Sequence, residues 1–412
     1  MSGGKQSIYE QIEYVQNGSI VTPKGFQAGG LHSGVKRSRN DLGAIYSQTP
    51  AHAAAVYTLN QIQAAPIKVT KESIAEDNTI QAVIINSGNA NACTGKQGEQ
   101  DAYTMRADTA EQFGVQEHHV AVASTGIIGL EMPMDKISSH TKKLTIGDTE
   151  NDARQFGEAI LTTDTFAKSA CYEATIGGKK VTMGAAAKGS GMIEPNMGTM
   201  LSFITTDAAV EPALLHQALK EAVDQTFNCI TVDGDTSTND MVLVLANSEA
   251  GNAPLSKQHE DWQLFVALLK KTCEDIAKQI AQDGEGATKL IEVHVNGTKT
   301  DADARKVAKS IVGSSLVKTA VFGTDANWGR IIAAVGYSGV EINPETIDMK
   351  IGSIALLNNS EPTDFNEEEA TAYLQADTID IYVDLHLGEG SGKAWGCDLT
   401  YDYVRINASY RS

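Results

Sequence analysis

Apolar and polar positions change period from segment to segment along the chain, and the changes predict a mixed α/β protein. Continuous apolar runs bounded by turn residues at QAVIIN (81–86), HVAVAS (119–124) and MVLVLAN (241–247) predict buried strands. TIDIYVDLHLG (378–388) differs, because Ile379, Ile381, Val383, Leu385 and Leu387 alternate with Asp380, Tyr382, Asp384 and His386. A period of two buries one face of a strand and wets the other. After Ser256 the spacing becomes three and four, through Trp262, Phe265, Val266, Leu269, Cys273, Ile276, Ala277 and Ile280. That spacing predicts a helix packed on a sheet and ending before Asp283 and Gly284. A second helix is predicted from Glu211 and Pro212, where proline suits the first turn. The polar stretch 358–369 reads as a surface segment. The region after about Glu285 is expected to form a smaller C-terminal domain.

Length and composition narrow the class. A chain of 412 residues suggests two or three compact units, and 42% hydrophobic with 21% charged residues gives it a sizeable core. The formal net charge of −19 opposes phosphate backbones and anionic lipids, and no cluster of Lys and Arg offsets it. No run of about 18 apolar residues is present, and the first residues, MSGGKQSIYEQIEYVQNG, resemble neither a secretory signal nor a transit peptide. A cytoplasmic location is expected. The five cysteines, Cys93, Cys171, Cys229, Cys273 and Cys397, are dispersed and form no CxxC pair, so they are expected to be reduced core residues.

Several familiar site patterns fail. GEGSGKA (388–394) puts Leu387 and Ala394 where a phosphate loop needs Gly and Ser/Thr. DGDTSTND (233–240) puts Thr238 and Val244 where a calcium loop needs Gly and Glu. There is no HExxH, and His118 beside His119 is expected to splay its two imidazoles to opposite sides of a strand. Neither GxSxG nor a GxGxxG following a strand occurs. No metal and no cofactor is therefore expected.

The unusual segment is AAAKGSGMIEPNMGTMLSFITTDA (185–208), rich in small residues and methionine and running from Gly198-Thr199 into the strand-like stretch 200–205. Its plain reading is a loop entering a buried strand. Its chemical reading is a threonine nucleophile exposed by cleavage of the Gly198–Thr199 bond. A threonine hydroxyl needs a base, and a newly freed α-amine, titrating near about 7.7–8.0, can serve. Gly198 admits backbone conformations closed to other residues and so eases attack of the Thr199 hydroxyl on the preceding carbonyl.

The segment KGSGMIEPNMGTMLSF resembles the ornithine acetyltransferase (glutamate N-acetyltransferase) family of arginine biosynthesis. So do NSGNANACTG (86–95), ASTGIIG (123–129), ILTTDT (160–165), TVDGDTSTND (231–240), FGTDANWGR (322–330) and the terminal INASYRS. The similarity covers nearly the whole chain in order. It implies a layered α/β sandwich, like that of N-terminal-nucleophile enzymes, cut into an α chain of 1–198 and a β chain of 199–412 that assemble as α2β2. It implies transfer of an acetyl group from N2-acetylornithine to glutamate through an ester on Thr199, without a cofactor. The sequence leaves open whether acetyl-CoA is a second donor.

By the same resemblance Thr125 and Gly126 form an oxyanion pair, placed on the loop after strand 119–124. The implied substrate contacts are Thr162, Lys188, Thr199, Glu285, Asn407 and Ser412, with Thr163 adjacent and chemically equivalent to Thr162. Lys188 suits a carboxylate and Glu285 the ornithine side-chain ammonium. Gly198 stands where many members carry alanine and Ser412 where threonine is usual; a small residue and a hydroxyl are retained. Two other readings stand beside this one: an aminopeptidase or amidase of the same self-cleaving fold, and an acidic binding protein in which 185–199 is only a tight turn.

Overall fold

The computed structural model describes residues 7–194 and 200–409, so Gly198, Thr199 and Ser412 lie outside the described residues. In chain order the first strands are β1 (Glu13–Tyr14), β2 (Phe26–Leu31), β3 (Leu42–Tyr57), β4 (Thr79–Asn89), β5 (Val120–Ile127), β6 (Lys168–Ile176), β7 (Lys179–Lys188) and β8 (Leu201–Thr206). They are followed by β9 (Ile230–Thr231), β10 (Met241–Ala246), β11 (Leu290–Thr298), β12 (Asp348–Ile351), β13 (Ile354–Asn358), β14 (Glu361–Pro362), β15 (Thr378–Asp384) and β16 (Gly390–Cys397). One sheet runs β1-β6-β7-β8-β10-β3-β4-β5, with β2 also on β3; the other runs β14-β13-β12-β15-β11-β16-β9.

The centre of the first sheet explains the apolar runs. Every residue of β8 and β10 is buried. Alternate side chains of these strands go to opposite faces: Ile204, Val242 and Val244 join the larger core, and Phe203, Leu243 and Leu245 a second one. Helix Trp262–Gln282 lies between the sheets, touching β6 and β7 on one side and β11 and β16 on the other. That is why Leu264, Ala267 and Leu268 are buried as well as the predicted stripe. It ends at Gln282, as the sequence predicts, and the second predicted helix is Pro212–Asp224, with Glu211 just before it and Pro212 in its first turn. β15 buries Ile379, Ile381 and Val383, but the strand stops at Asp384, where the chain turns through His386 at φ +53. The stretch 358–369 is largely exposed and holds β14 and the start of helix Glu367–Tyr373.

Three expectations are corrected. Thr125 and Gly126 belong to β5 itself, because pairing with β4 continues past Ser124 through a bulge at Gly88 and Asn89. Cys93 is exposed, in a left-handed turn (φ +57) before helix Gly95–Phe113, whereas the other four cysteines are free and buried. Burial pushes the Cys171 thiol up to about 12 and Cys229 to about 11. Thiols so raised stay protonated and are poor nucleophiles. Finally, His118 and His119 lie in a 3-10 turn, Glu117–His119, and not in a strand. Adjacent imidazoles that would diverge in a strand converge here, reaching Asp77 Oδ2 at 3.7 and 2.9 Å.

Phe203 is 1% exposed and meets Phe156 edge to face at 5.7 Å. Phe203→Ala is predicted to lower the unfolding free energy by about 3–5 kcal/mol, read from the shift in chemical denaturation.

Candidate active site

The site is assembled around a buried cation. Lys168, at the start of β6 and without exposed side-chain surface, lies 2.6 Å from Asp164 Oδ1 and 2.5 Å from Asp283 Oδ2. The two carboxylates then hold three stretches of chain. Asp164 accepts the Thr162 N–H at 3.0 Å and the Gly189 N–H at 2.7 Å. Asp283 accepts the N–H and hydroxyl of Thr165. Ser190 Oγ donates to the Asp283 carbonyl at 2.7 Å, and the Glu285 N–H returns to the Ser190 carbonyl at 3.1 Å. Residues 162–168, 188–190 and 283–285 are thereby locked together.

Around this hub is a cleft of about 120 Å³ lined by Thr125, Gly126, Thr162, Thr163, Lys188, Glu285 and Asn407. All of the site residues named from the sequence that lie within the described residues are thus gathered in one place. Both Thr162 and Thr163 face it, so the two alternatives at that position stay equivalent. Met200 and Leu201, which follow Thr199 in sequence, complete one wall.

Each wall has a local reason for its shape. Gly126 has φ +134, and a Cβ there would fall 2.3 Å from the Gly88 carbonyl carbon, so only glycine lets β5 approach the β4 bulge this closely. Gly191 admits Glu285, since a Cβ at 191 would lie 2.3 Å from the carboxylate carbon. Asn407, on helix Tyr401–Ser409, donates from Nδ2 to Glu285 Oε2 at 2.7 Å, so this helix closes on the cleft. Asp233 accepts the N–H groups of Met192 and Ile193 at 2.7 and 2.8 Å, fixing 191–194 to the 231–236 turn.

The stretch after that turn supplies residues that sequence reasoning missed. Ser237, Thr238, Asn239 and Asp240 line the cleft. Asn239 Nδ2 donates to the Ala90 and Ser124 carbonyls at 2.6 and 2.8 Å, tying the turn to the strand that carries Thr125. The available signal was a cluster of polar residues, DGDTSTND, directly before the apolar run 241–246. Its failure as a calcium loop said nothing about its facing a cleft.

Lys188, 9% exposed at the end of β7, pulls two buried acids down, and burial decides the net result at each. Burial alone would raise the Asp164 carboxyl. The charges of Lys188 and Lys168, with the hydrogen bonds from Lys168 and the Thr162 N–H, outweigh burial and hold it at about 2. At Asp240 burial wins, pushing the carboxyl well above the ordinary 3.8 against a hydrogen bond with Ser237 and the charge of Lys188. Two buried carboxyl groups near the cleft are thus pushed in opposite directions, Asp164 down and Asp240 up. Among the described residues two groups outside it could hold a cation: Asp77 with His118 and His119, and Glu292 with His294 and Asp380.

Because the Asp164 carboxyl is depressed in the fold from 3.8 to about 2, its stabilising effect is complete above about pH 4 and is lost as the pH falls through 2. Lys168→Met leaves two buried carboxylates without their cation and is predicted to cost about 3–5 kcal/mol. Urea titrations at pH 2 to 7 should show the wild type losing stability between pH 4 and 2 and a flatter curve for the variant.

A family model described as the ArgJ family matches residues 27–412. An arginine biosynthesis bifunctional protein ArgJ from Geobacillus kaustophilus is 62% identical over 412 residues, covering all of both chains. Its counterpart in Geobacillus stearothermophilus is 61% identical over 98% of each chain. A crystal structure of the arginine biosynthesis bifunctional protein from Bacillus halodurans is 64% identical, covers 52% of this chain and 100% of its own, and has a TM-score of 0.51. The chain belongs to the ArgJ family.

Proposed function

We propose that this protein is an acetyltransferase of arginine biosynthesis that moves the acetyl group of N2-acetylornithine to glutamate by way of an ester on Thr199. The observation that carries the proposal is the convergence of Thr125, Gly126, Thr162, Lys188, Glu285 and Asn407 on one cleft. These residues come from five separate parts of the chain, and the cleft is walled by the residue that follows Thr199. The relatives named above are bifunctional proteins of arginine biosynthesis, which supports the pathway.

In the proposed cycle Thr199 Oγ attacks the acetyl carbonyl, and the backbone N–H groups of Thr125 and Gly126 stabilise the oxyanion. Ornithine leaves, and the amine of glutamate takes the acetyl group from the threonine ester. Lys188 meets the substrate carboxylate, Glu285 the ornithine ammonium, with Thr162 or Thr163, Asn407 and Ser412 as further contacts. A buried lysine and a buried glutamate in one cleft complement a zwitterion, and Lys188 supplies the local positive charge that anionic glutamate needs in a chain of −19. A cytoplasmic location accords with the described helices, none of which is long and apolar enough to cross a membrane.

Cleavage before Thr199 would yield chains 1–198 and 199–412, the second carrying the smaller C-terminal domain expected from about 286. The 214 residues of 199–412 are 52% of 412, the share of this chain that the whole Bacillus halodurans polypeptide matches. β7 would lie in the first chain and β8 in the second, yet they pair from Met183–Thr206 to Lys188–Leu201 in the middle of one sheet. The two pieces would therefore stay together, and we propose an α2β2 assembly.

Intact-mass analysis is predicted to find two chains in the wild type and one in Thr199→Ala, with activity lost. Thr199→Ser should retain some processing and turnover, since a hydroxyl remains. A cleaved Thr199→Ala protein would contradict the mechanism. Continuous ornithine release from N2-acetylornithine should depend on glutamate, since without it turnover stops at the threonine ester; rapid continuous release without glutamate would favour the amidase reading.

A further inference from the structure

The proposed turnover uses the Thr199 α-amine as its proton carrier, but in the uncut chain that nitrogen is part of an amide and cannot serve. Breaking the Gly198–Thr199 bond expels the nitrogen, which must gain a proton as it leaves. Cleavage therefore needs an acid that the finished enzyme does not. We propose, resting on the self-cleavage reading above, that Asp240 is this acid and gives its proton to the departing Thr199 nitrogen.

Asp240 is 2% exposed and lines the cleft, and its Oδ2 has no hydrogen-bond partner among the described residues. A buried polar atom without a partner is costly and calls for an explanation. The residue immediately precedes β10, whose first member, Met241, pairs with Leu201 and donates its N–H to the Met200 carbonyl at 3.0 Å. Asp240 thus flanks the residue that follows Thr199 in the chain. Its backbone is fixed from the other side: Thr58 N–H donates to the Asp240 carbonyl at 3.0 Å, and Thr58 Oγ1 to the Ser237 carbonyl at 2.8 Å. Burial pushes the carboxyl well above its ordinary 3.8, toward the protonated state that a proton donor requires.

The step balances as follows. Thr199 Oγ bonds to the Gly198 carbonyl carbon and its proton passes to water. The carbon–nitrogen bond then breaks with its electron pair going to nitrogen, and Asp240 supplies the proton that makes this an amine. The proton held by water restores Asp240. A second water hydrolyses the Gly198 ester, leaving a Gly198 carboxylate and a free Thr199 hydroxyl.

Asp240→Asn is uncharged and of the same shape, so it should keep the hydrogen bond with Ser237 while lacking a proton to give. A structural role for a neutral carboxyl would tolerate it. Full-length wild type, Asp240→Asn and Thr199→Ala are followed by intact mass over time, with thermal unfolding of the uncut chains as the folding control. Cleavage of Asp240→Asn is expected to be about 100-fold slower or more, with an unfolding midpoint equal to that of Thr199→Ala. Cleavage of Asp240→Asn at the wild-type rate overturns the assignment and leaves the Thr199 reading intact. A wild type that never cleaves removes both. Should Asp240→Asn not fold, Asp240→Glu decides: its retained acid is expected to sustain cleavage, and a folded, uncut Asp240→Glu protein overturns the proposal.

Discussion

The structure depends on the ion triad of Lys168 with Asp164 and Asp283. Three charges almost wholly removed from water would be ruinous singly, and they are tolerable only because each is paired and each carboxylate also accepts hydrogen bonds from backbone or hydroxyl donors. The same bonds join chain segments more than 100 residues apart. An ion triad of this kind contributes little net stability. What it does here is set register: Thr162, Gly189 and Glu285 cannot shift independently while the triad is whole.

Lys188 extends this arrangement to the cleft. Its charge helps hold the Asp164 carboxyl low, while at Asp240 burial outweighs that charge and pushes the carboxyl up. A cleft with a lysine, a glutamate and an aspartic acid whose carboxyl is raised by burial suits a reaction in which zwitterions enter and protons move between nitrogen and oxygen. The sheet adds a mechanical condition. Because β8 is held between β7 and β10, a break just before it would leave the strand in place. The new chain start would then be presented at the end of a rigid element, where a nucleophile is best oriented.

Much of the architecture was legible in the sequence where one period dominated. The run 241–246, the alternation from Ile379 to Val383 and the stripe on helix 262–282 report burial directly. Two kinds of feature were not legible. Local backbone irregularity, such as the β4 bulge that carries β5 past Thr125 or the 3-10 turn that brings His118 and His119 together, depends on neighbours distant in sequence. Burial of charge was equally hidden: Lys188 and Glu285 look like solvated residues until other segments of the chain enclose them. The site residues were named through resemblance, and that route passed over Asp240, whose role has to be argued from its missing hydrogen bond.

The central claim is that one hydroxyl carries the acetyl group between substrates. The direct measurement is to mix the enzyme with N2-acetylornithine alone, quench in acid, and weigh the proteolytic peptide that begins at Thr199. The account predicts that this peptide gains one acetyl group and loses it when glutamate is added. An active enzyme whose Thr199 stays unmodified, or whose acetyl group sits on another residue, would contradict it.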